Sequence, residues 1–163
     1  RKEKMKIIDN FLPQEDFKTL QKIVMGNDIQ WYYNYQTNKG SKSLNDFYFC
    51  HTLFNCNQIS DFYKIFAEKL ISKMDLFALR RAKLNCYPWS ENLIKHKLHF
   101  DYPVKHKALI LYFNTCDGFT MFEDNTKIES IENRALLFDG SIKHRSTNCT
   151  NDKARFNINI NYL

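Results

Sequence analysis

The stretch RFNININY, residues 155–162, alternates strictly between polar and apolar side chains. Successive side chains of a β-strand point to opposite faces of the sheet. Arg155 and the asparagines that follow it would therefore share one face, and the apolar residues between them would share the other. We expect the polar face to line a pocket and the apolar face to pack on helices. The alternative is an edge strand whose arginine side faces water.

A second pattern is His99-Phe100-Asp101, which is followed later in the chain by His144. His99 and Asp101 are two residues apart, so they would project from the same side of a strand or strand end. His144 comes after the apolar run 134–138 and the turn signal Asp139-Gly140, which predicts the start of another strand. Each residue alone is more often structural or solvated, so the prediction depends on the ordered set.

Two histidines and one carboxylate form the ligand set that holds non-haem Fe(II) and leaves positions open for other ligands. Such a site has a net charge near +1, which suits a 2-oxo acid and then O2. Arg155 would anchor the far end of that acid, because its planar guanidinium makes two parallel hydrogen bonds to a carboxylate. Lys97, Arg134 and Lys153 are the alternative cations for this role.

Residues 81–162 resemble the 2-oxoglutarate- and Fe(II)-dependent oxygenases, in particular small members similar to the prolyl 4-hydroxylase branch. The resemblance is carried by six motifs: RAKLNCY (81–87), HFD (99–101), ALILYFN (108–114), DGFTMF (117–122), LLFDG (136–140) and the segment from His144 to RFNIN (155–159). It implies a mostly β fold with flanking helices (α+β), a double-stranded β-helix or jelly roll with N-terminal buttressing helices.

The resemblance also implies roles for individual residues. His99, Asp101 and His144 would be the iron ligands, and Arg155 would bind the distal carboxylate of 2-oxoglutarate. Weaker correspondences assign co-substrate contacts to Tyr87, Asn85, Tyr112 and Asn157, the last standing where many relatives have serine. The implied activity is hydroxylation of a C–H bond by Fe(II), 2-oxoglutarate and O2, with release of succinate and CO2.

Composition limits the other possibilities. The 163 residues with 44% hydrophobic side chains are enough for one domain. We divide it into a helix-rich part, about 1–78, and a core barrel, about 79–163. The five cysteines form no close pair, which predicts free thiols in a reducing compartment. No membrane span or signal peptide is evident, so we expect a cytoplasmic protein.

Local patterns predict the elements of the first part. Residues 13–25 and 59–74 have helical apolar spacing, whereas residues 31–35 and 47–50 look like strands. Short strands and turns alternate from residue 79 onward, as in an eight-stranded jelly roll. Residues 28–47 are a candidate flap over the mouth, with a plain hairpin connection as the alternative.

The substrate is the least determined feature. The net charge of +6 is spread over scattered lysines, so nucleic acid is an unlikely partner, and we expect a small amino-acid-like molecule or a peptide. The oligomeric state is not indicated. Two alternatives remain at this point: a cupin-like metalloenzyme that uses no 2-oxoglutarate, and a non-catalytic jelly-roll binding module.

Overall fold

A computed structural model describes residues 5–35 and 43–163, which form two antiparallel sheets with two α-helices and one 3-10 helix. The strands are β1 Lys6–Ile8, β2 Tyr32–Asn34, β3 Tyr48–Asn55, β4 Gln58–Ile59, β5 Leu79–Pro88, β6 Lys107–Tyr112, β7 Phe119–Phe122, β8 Lys127–Glu129, β9 Ala135–Asp139, β10 His144–Ser146 and β11 Ala154–Tyr162. The helices are α1 Gln14–Met25 and α2 Tyr63–Lys69, followed by the 3-10 helix Ile71–Lys73.

The larger sheet has the strand order β1-β9-β6-β11-β5-β3-β2, with β4 paired to β3. Strand β11 pairs with β5 on one side and β6 on the other, so it lies inside the sheet and is not an edge strand. Strands β1 to β4, from the N-terminal part of the chain, belong to the same sheet as β5, β6, β9 and β11.

The two faces of this sheet differ as the alternation in β11 predicts. Ile158 and Ile160 belong to an apolar cluster that also contains Phe17, Leu20 and Val24 of α1. Pro13 precedes α1, and Glu15 and Asp16 lie in its first turn, where acidic side chains favour the positive end of the helix dipole. We call this face, covered by the helices, the outer face.

The smaller sheet, with the order β10-β7-β8, covers the opposite face of the large sheet. Phe122 of β7 and Ile128 of β8 pack against Ile110 and Tyr112 of β6. The polar residues of β11 share this inner face, and Asn157 and Asn161 are buried there. The polar face of β11 therefore lies between the two sheets.

Most predicted elements are present with shifted ends. The predicted helix over 59–74 is too long, because Ile59 pairs in β4 and the helix begins only after Phe62, whose backbone N–H donates to the Ser60 hydroxyl. The predicted strand at 47–50 extends to Asn55. Part of the predicted flap, residues 36–42, lies outside the described residues.

The five cysteines are free thiols. Among residues 5–35 and 43–163, no helix is both long enough and apolar enough to cross a membrane.

Candidate metal and co-substrate site

His99, Asp101 and His144 converge at the inner face. One ligand atom from each lies within 4.8 Å of the others. His144 opens β10 as predicted, but His99 and Asp101 lie outside the named strands. Residues 95–99 run antiparallel to β10 instead, through bridges from Lys95 to Thr147 and from His99 to His144. This pairing brings the two histidine rings to a centroid distance of 4.7 Å.

Backbone carbonyl groups orient both rings. Nδ1 of His144 lies 2.9 Å from the Ile142 carbonyl oxygen, and Nδ1 of His99 lies 3.3 Å from that of Lys97. A proton on each Nδ1 would be donated to the carbonyl oxygen and leave Nε2 as the free electron-pair donor, the usual arrangement of metal-binding histidines. Phe138 and Phe122 pack against the ring of His144 and help to fix its position.

Asp101 is held by three donors from the large sheet. Arg81 of β5 donates to its Oδ1 at 3.1 Å. Asn159 and Asn161 of β11 donate to its Oδ2 at 3.1 and 2.8 Å. Arg81 and Asn161 are opposite each other in the β5–β11 pairing, so the arrangement depends on the register of two adjacent strands.

The protonation states suit metal binding. Burial, together with the neighbouring His144, lowers the pKa of His99 to about 4, so its ring is neutral near pH 7. Burial would raise the pKa of Asp101, but the charges of His144 and Arg81 and the amides of β11 outweigh it and hold the pKa at about 2. A neutral imidazole and an ionised carboxylate are the forms that ligate metals.

Arg155 is fully buried, with 0% of its surface exposed. Its Nη1 donates to the Ser146 hydroxyl at 2.7 Å and to the Thr147 carbonyl at 3.2 Å, and its Nη2 donates to the Thr120 hydroxyl at 3.1 Å. No carboxylate of the described residues forms an ion pair with it, and its Nε has no partner there. A buried guanidinium without a counter-ion is costly, so this position is suited to a bound anion.

Two aromatic rings and a glycine confine Arg155. Its guanidinium carbon lies 5.5 Å from the ring centroid of Tyr87 and 5.3 Å from that of Tyr112. Tyr112 also donates to the Thr120 hydroxyl at 2.8 Å. A Cβ at Gly118 would collide with the Asn148 carbonyl and would lie 2.5 Å from Cδ of Arg155, so the arginine needs a glycine at this position.

The remaining predicted residues share the inner face. Asn85 of β5 is opposite Asn157 of β11, and its amide donates to the Asn157 side-chain oxygen at 2.9 Å. This pair lies between the Arg155 end and the Asp101 end of β11. The alternative anchors do not reach the interior: Arg134 pairs with Asp9 at 2.6 Å, and Lys97 and Lys153 are exposed.

Sequence reasoning missed the partners of Asp101. Asn159 and Asn161 are recognisable only as members of a polar face, and the sequence carries no signal that aims them at Asp101. Arg81 lies in a motif of the resemblance, but without an assigned role. Lys83 was also missed; it is opposite Asn159 in the sheet, and its ammonium donates to the Tyr48 hydroxyl at 3.1 Å.

Among the described residues, His99, Asp101 and His144 are the only group of three or more histidine, cysteine or acidic side chains that converges in this way. Their donor set fits a divalent transition metal, and the unpaired Arg155 fits an organic anion.

No protein-family model matches the sequence. No curated protein matches it either. Solved structures do match its fold. A prolyl hydroxylase from Trichoplax adhaerens, in complex with a hypoxia inducible factor oxygen degradation domain peptide fragment, aligns with a TM-score of 0.71 and 18% identity, over 98% of this chain and 83% of that chain.

Two further structures contain ligands. The viral collagen prolyl hydroxylase of Paramecium Bursaria Chlorella virus-1, in its 2-oxoglutarate complex, aligns with a TM-score of 0.60 and 15% identity, over 98% of this chain and 95% of that chain. HygX from Streptomyces hygroscopicus, with nickel and 2-oxoglutarate bound, aligns with a TM-score of 0.63 and 9% identity, over 97% and 82%. The chain therefore has the fold of the 2-oxoglutarate- and Fe(II)-dependent oxygenases, and its structural neighbours include prolyl hydroxylases.

Proposed function

We propose that this protein is a non-haem Fe(II)- and 2-oxoglutarate-dependent dioxygenase. His99, Asp101 and His144 would hold Fe(II), and Arg155 would bind the distal carboxylate of 2-oxoglutarate. The bound iron supplies the oxidation of 2-oxoglutarate by O2 to succinate and CO2, coupled to hydroxylation of a substrate C–H bond. We take the two sheets as the halves of one jelly-roll domain formed by residues 1–163.

One observation carries the proposal: a fully buried Arg155, with no carboxylate partner among the described residues, shares the inner face with the converging His99, Asp101 and His144. A metal site alone needs no such arginine. A cupin-like enzyme without a 2-oxo acid would leave the guanidinium buried and unpaired, at a cost of several kcal/mol, so the geometry favours 2-oxoglutarate.

The chain's own residues have separate tasks in this scheme. Arg81 and the amides of Asn159 and Asn161 hold the Asp101 carboxylate in one orientation and keep it ionised. Tyr87 and Tyr112 enclose the guanidinium of Arg155 and exclude water, which strengthens its attraction for a carboxylate. Asn85 and Asn157 supply amide groups between the two ends, within the space where the co-substrate would lie.

For the substrate we propose a peptide or an amino-acid-like molecule. The Trichoplax prolyl hydroxylase was solved with a peptide, and it aligns with 98% of this chain. Tyr32, Tyr33 and Tyr35 are exposed within the described part of the flap segment and provide aromatic surface for such a ligand.

The test is an anaerobic titration of 2-oxoglutarate into the Fe(II)-loaded protein, followed by its visible metal-to-ligand charge-transfer absorbance. We expect a saturable band, and on admission of O2 we expect slow formation of succinate even without substrate. Two controls should give no band: succinate added to the Fe(II)-loaded protein, and 2-oxoglutarate added to the metal-free protein. Metal binding without the band would contradict the dioxygenase and support a cupin-like enzyme; absence of both would support a non-catalytic binding module.

A further inference from the structure

We propose that Lys83 is a second carboxylate-binding residue of this site, distinct from Arg155, and that it binds a carboxylate held beside the metal. The inference rests on the proposed function, which it extends from the co-substrate toward the chemistry of the substrate. The carboxylate could belong to the substrate or to the metal-side end of 2-oxoglutarate, and the two sources give different results in the experiment below.

The position of Lys83 follows from the register of β5. Lys83 is opposite Asn159 of β11, whose amide donates to Asp101. Opposed residues in an antiparallel pair have Cα atoms about 4.5–5.5 Å apart, so the backbone of Lys83 lies beside that of Asn159, a hydrogen-bond partner of Asp101. Alternation along β5 places it on the same inner face as Arg81 and Asn85.

Its ammonium has few partners. It donates to the Tyr48 hydroxyl at 3.1 Å and lies 5.2 Å from the centroid of the same ring. No carboxylate of the described residues forms an ion pair with it. Residues 36–42, the internal segment that the structure leaves out, contain no aspartate or glutamate. Burial and the neighbouring charge of Arg81 lower the pKa of Lys83, and the charge of Asp101 acts in the opposite direction.

When the charges of the loaded site are paired, the ammonium of Lys83 has no counter-ion among the described residues. Arg81 pairs with Asp101, Arg155 would pair with the distal carboxylate of 2-oxoglutarate, and the metal would take the other carboxylate. A partly buried ammonium without a counter-ion lowers stability. One further carboxylate would compensate the charge.

The exposure of Lys83 favours the substrate as the source. Arg155 is fully buried, whereas Lys83 is only half-buried and is therefore partly accessible to solvent. Its ammonium donates to the hydroxyl of Tyr48, which belongs to β3, the strand that pairs with β5 on the side away from β11. A substrate reaches an active site from solvent, so a partly exposed ammonium is available to its carboxylate.

The experiment uses wild type, Lys83→Met, Lys83→Arg and the matched control Lys107→Met. Lys107 lies on the outer face, with its ammonium 5.9 Å from the ring centroid of Tyr162. The first arm measures the dissociation constant of 2-oxoglutarate by the charge-transfer titration. The second arm loads Mn(II) and saturating 2-oxoglutarate, then follows the paramagnetic relaxation of the methyl protons of added acetate, with acetamide as the neutral comparison.

If Lys83 binds a substrate carboxylate, acetate should show saturable relaxation and acetamide should not. Lys83→Met should then weaken acetate binding by roughly tenfold or more and leave 2-oxoglutarate binding unchanged. If Lys83 instead contacts 2-oxoglutarate, Lys83→Met should weaken 2-oxoglutarate binding in the first arm by a similar factor. Lys83→Arg should retain most of either effect, and Lys107→Met should resemble wild type. Equal behaviour of wild type and Lys83→Met in both arms would overturn the inference.

The experiment distinguishes failure of the proposed function from failure of the Lys83 inference. If the wild type binds metal but gives no charge-transfer band, the dioxygenase assignment is wrong, and the acetate arm with Mn(II) alone still decides whether Lys83 binds a carboxylate. Met has an unbranched stem like that of Lys, and thermal unfolding of each variant verifies that it folds.

Discussion

The two faces of β11 are buried to a similar extent but differ in their chemistry. On the outer face, Ile158 and Ile160 pack in an apolar cluster with the helices. On the inner face, Arg155 Nε and the side-chain oxygens of Asn159 and Asn161 are buried without a hydrogen-bond partner in the described part of the chain. A buried polar group left without a partner costs about 1–3 kcal/mol, so the outer face stabilises the fold, and we attribute the unpartnered groups of the inner face to the proposed ligand binding.

The comparison is tested most strongly at the proposed metal ligands. His144→Ala should lower Fe(II) affinity by orders of magnitude while the protein stays folded, because a ligand is lost from the centre of the site. His51, which is buried in β3 with Nδ1 at 2.7 Å from the Gln30 carbonyl oxygen, supplies the matched control. His51→Ala should keep the wild-type metal stoichiometry, measured by equilibrium dialysis. Equal stoichiometry in the two variants would remove His144 from the ligand set.

The next largest effect is expected at the other end of the inner face. Arg155→Gln should weaken 2-oxoglutarate binding by about 2–5 kcal/mol, the cost of removing the charged partner of a buried carboxylate. Iron affinity should change little. Arg134→Gln, which removes an arginine paired with Asp9 outside the site, is the control for the titration. Normal 2-oxoglutarate binding by Arg155→Gln would show that another cation is the anchor.

The outer face should respond in stability and not in binding. Ile158→Ala should lower the free energy of unfolding by about 2–5 kcal/mol, and Ile158→Val by about 0.5–1.5 kcal/mol, because the cavity grows with the volume removed. Chemical denaturation of the metal-free proteins measures both. The folded variants should bind iron and 2-oxoglutarate like wild type, and a large loss of binding by Ile158→Val would erase the distinction between the faces.

A smaller, pH-dependent effect is expected at His96, beside the inner face. Burial lowers its pKa to about 4; the charges of Arg155 and His99 act in the same direction, and Asp46 opposes them. An unfolded histidine titrates near pH 6.5, so between about pH 6.5 and 4 the unfolded state binds more protons and stability falls as the pH falls. Its contribution is fully present above pH 6.5.

His96→Gln should therefore flatten the acid side of the stability curve of the metal-free protein by up to about 3 kcal/mol at pH 4. Urea denaturation at a series of pH values measures this slope. An unchanged slope would mean that the His96 ring is protonated in the folded protein and is not excluded from water.

Local sequence patterns predict which way the side chains of β11 face and where the first helix lies. The period of two in RFNININY predicts which residues of β11 face the helices, because alternation is a property of any strand. The helix at 13–25 is found at Gln14–Met25, since its apolar spacing, proline and acidic first turn all act within a few residues. The converging positions of His99, Asp101 and His144 agree with a metal site, although their role as ligands stays a prediction.

Tertiary structure decided the features that join distant segments. The strand over 48–55 is longer than its own residues indicate because β5 pairs along it, and the helix expected from residue 59 starts later because Ile59 pairs in a hairpin. The partners of Asp101 and the proximity of Lys83 to them depend on the register between β5 and β11. Spacing along one strand determines which face a side chain takes; only the pairing of strands determines what that side chain meets.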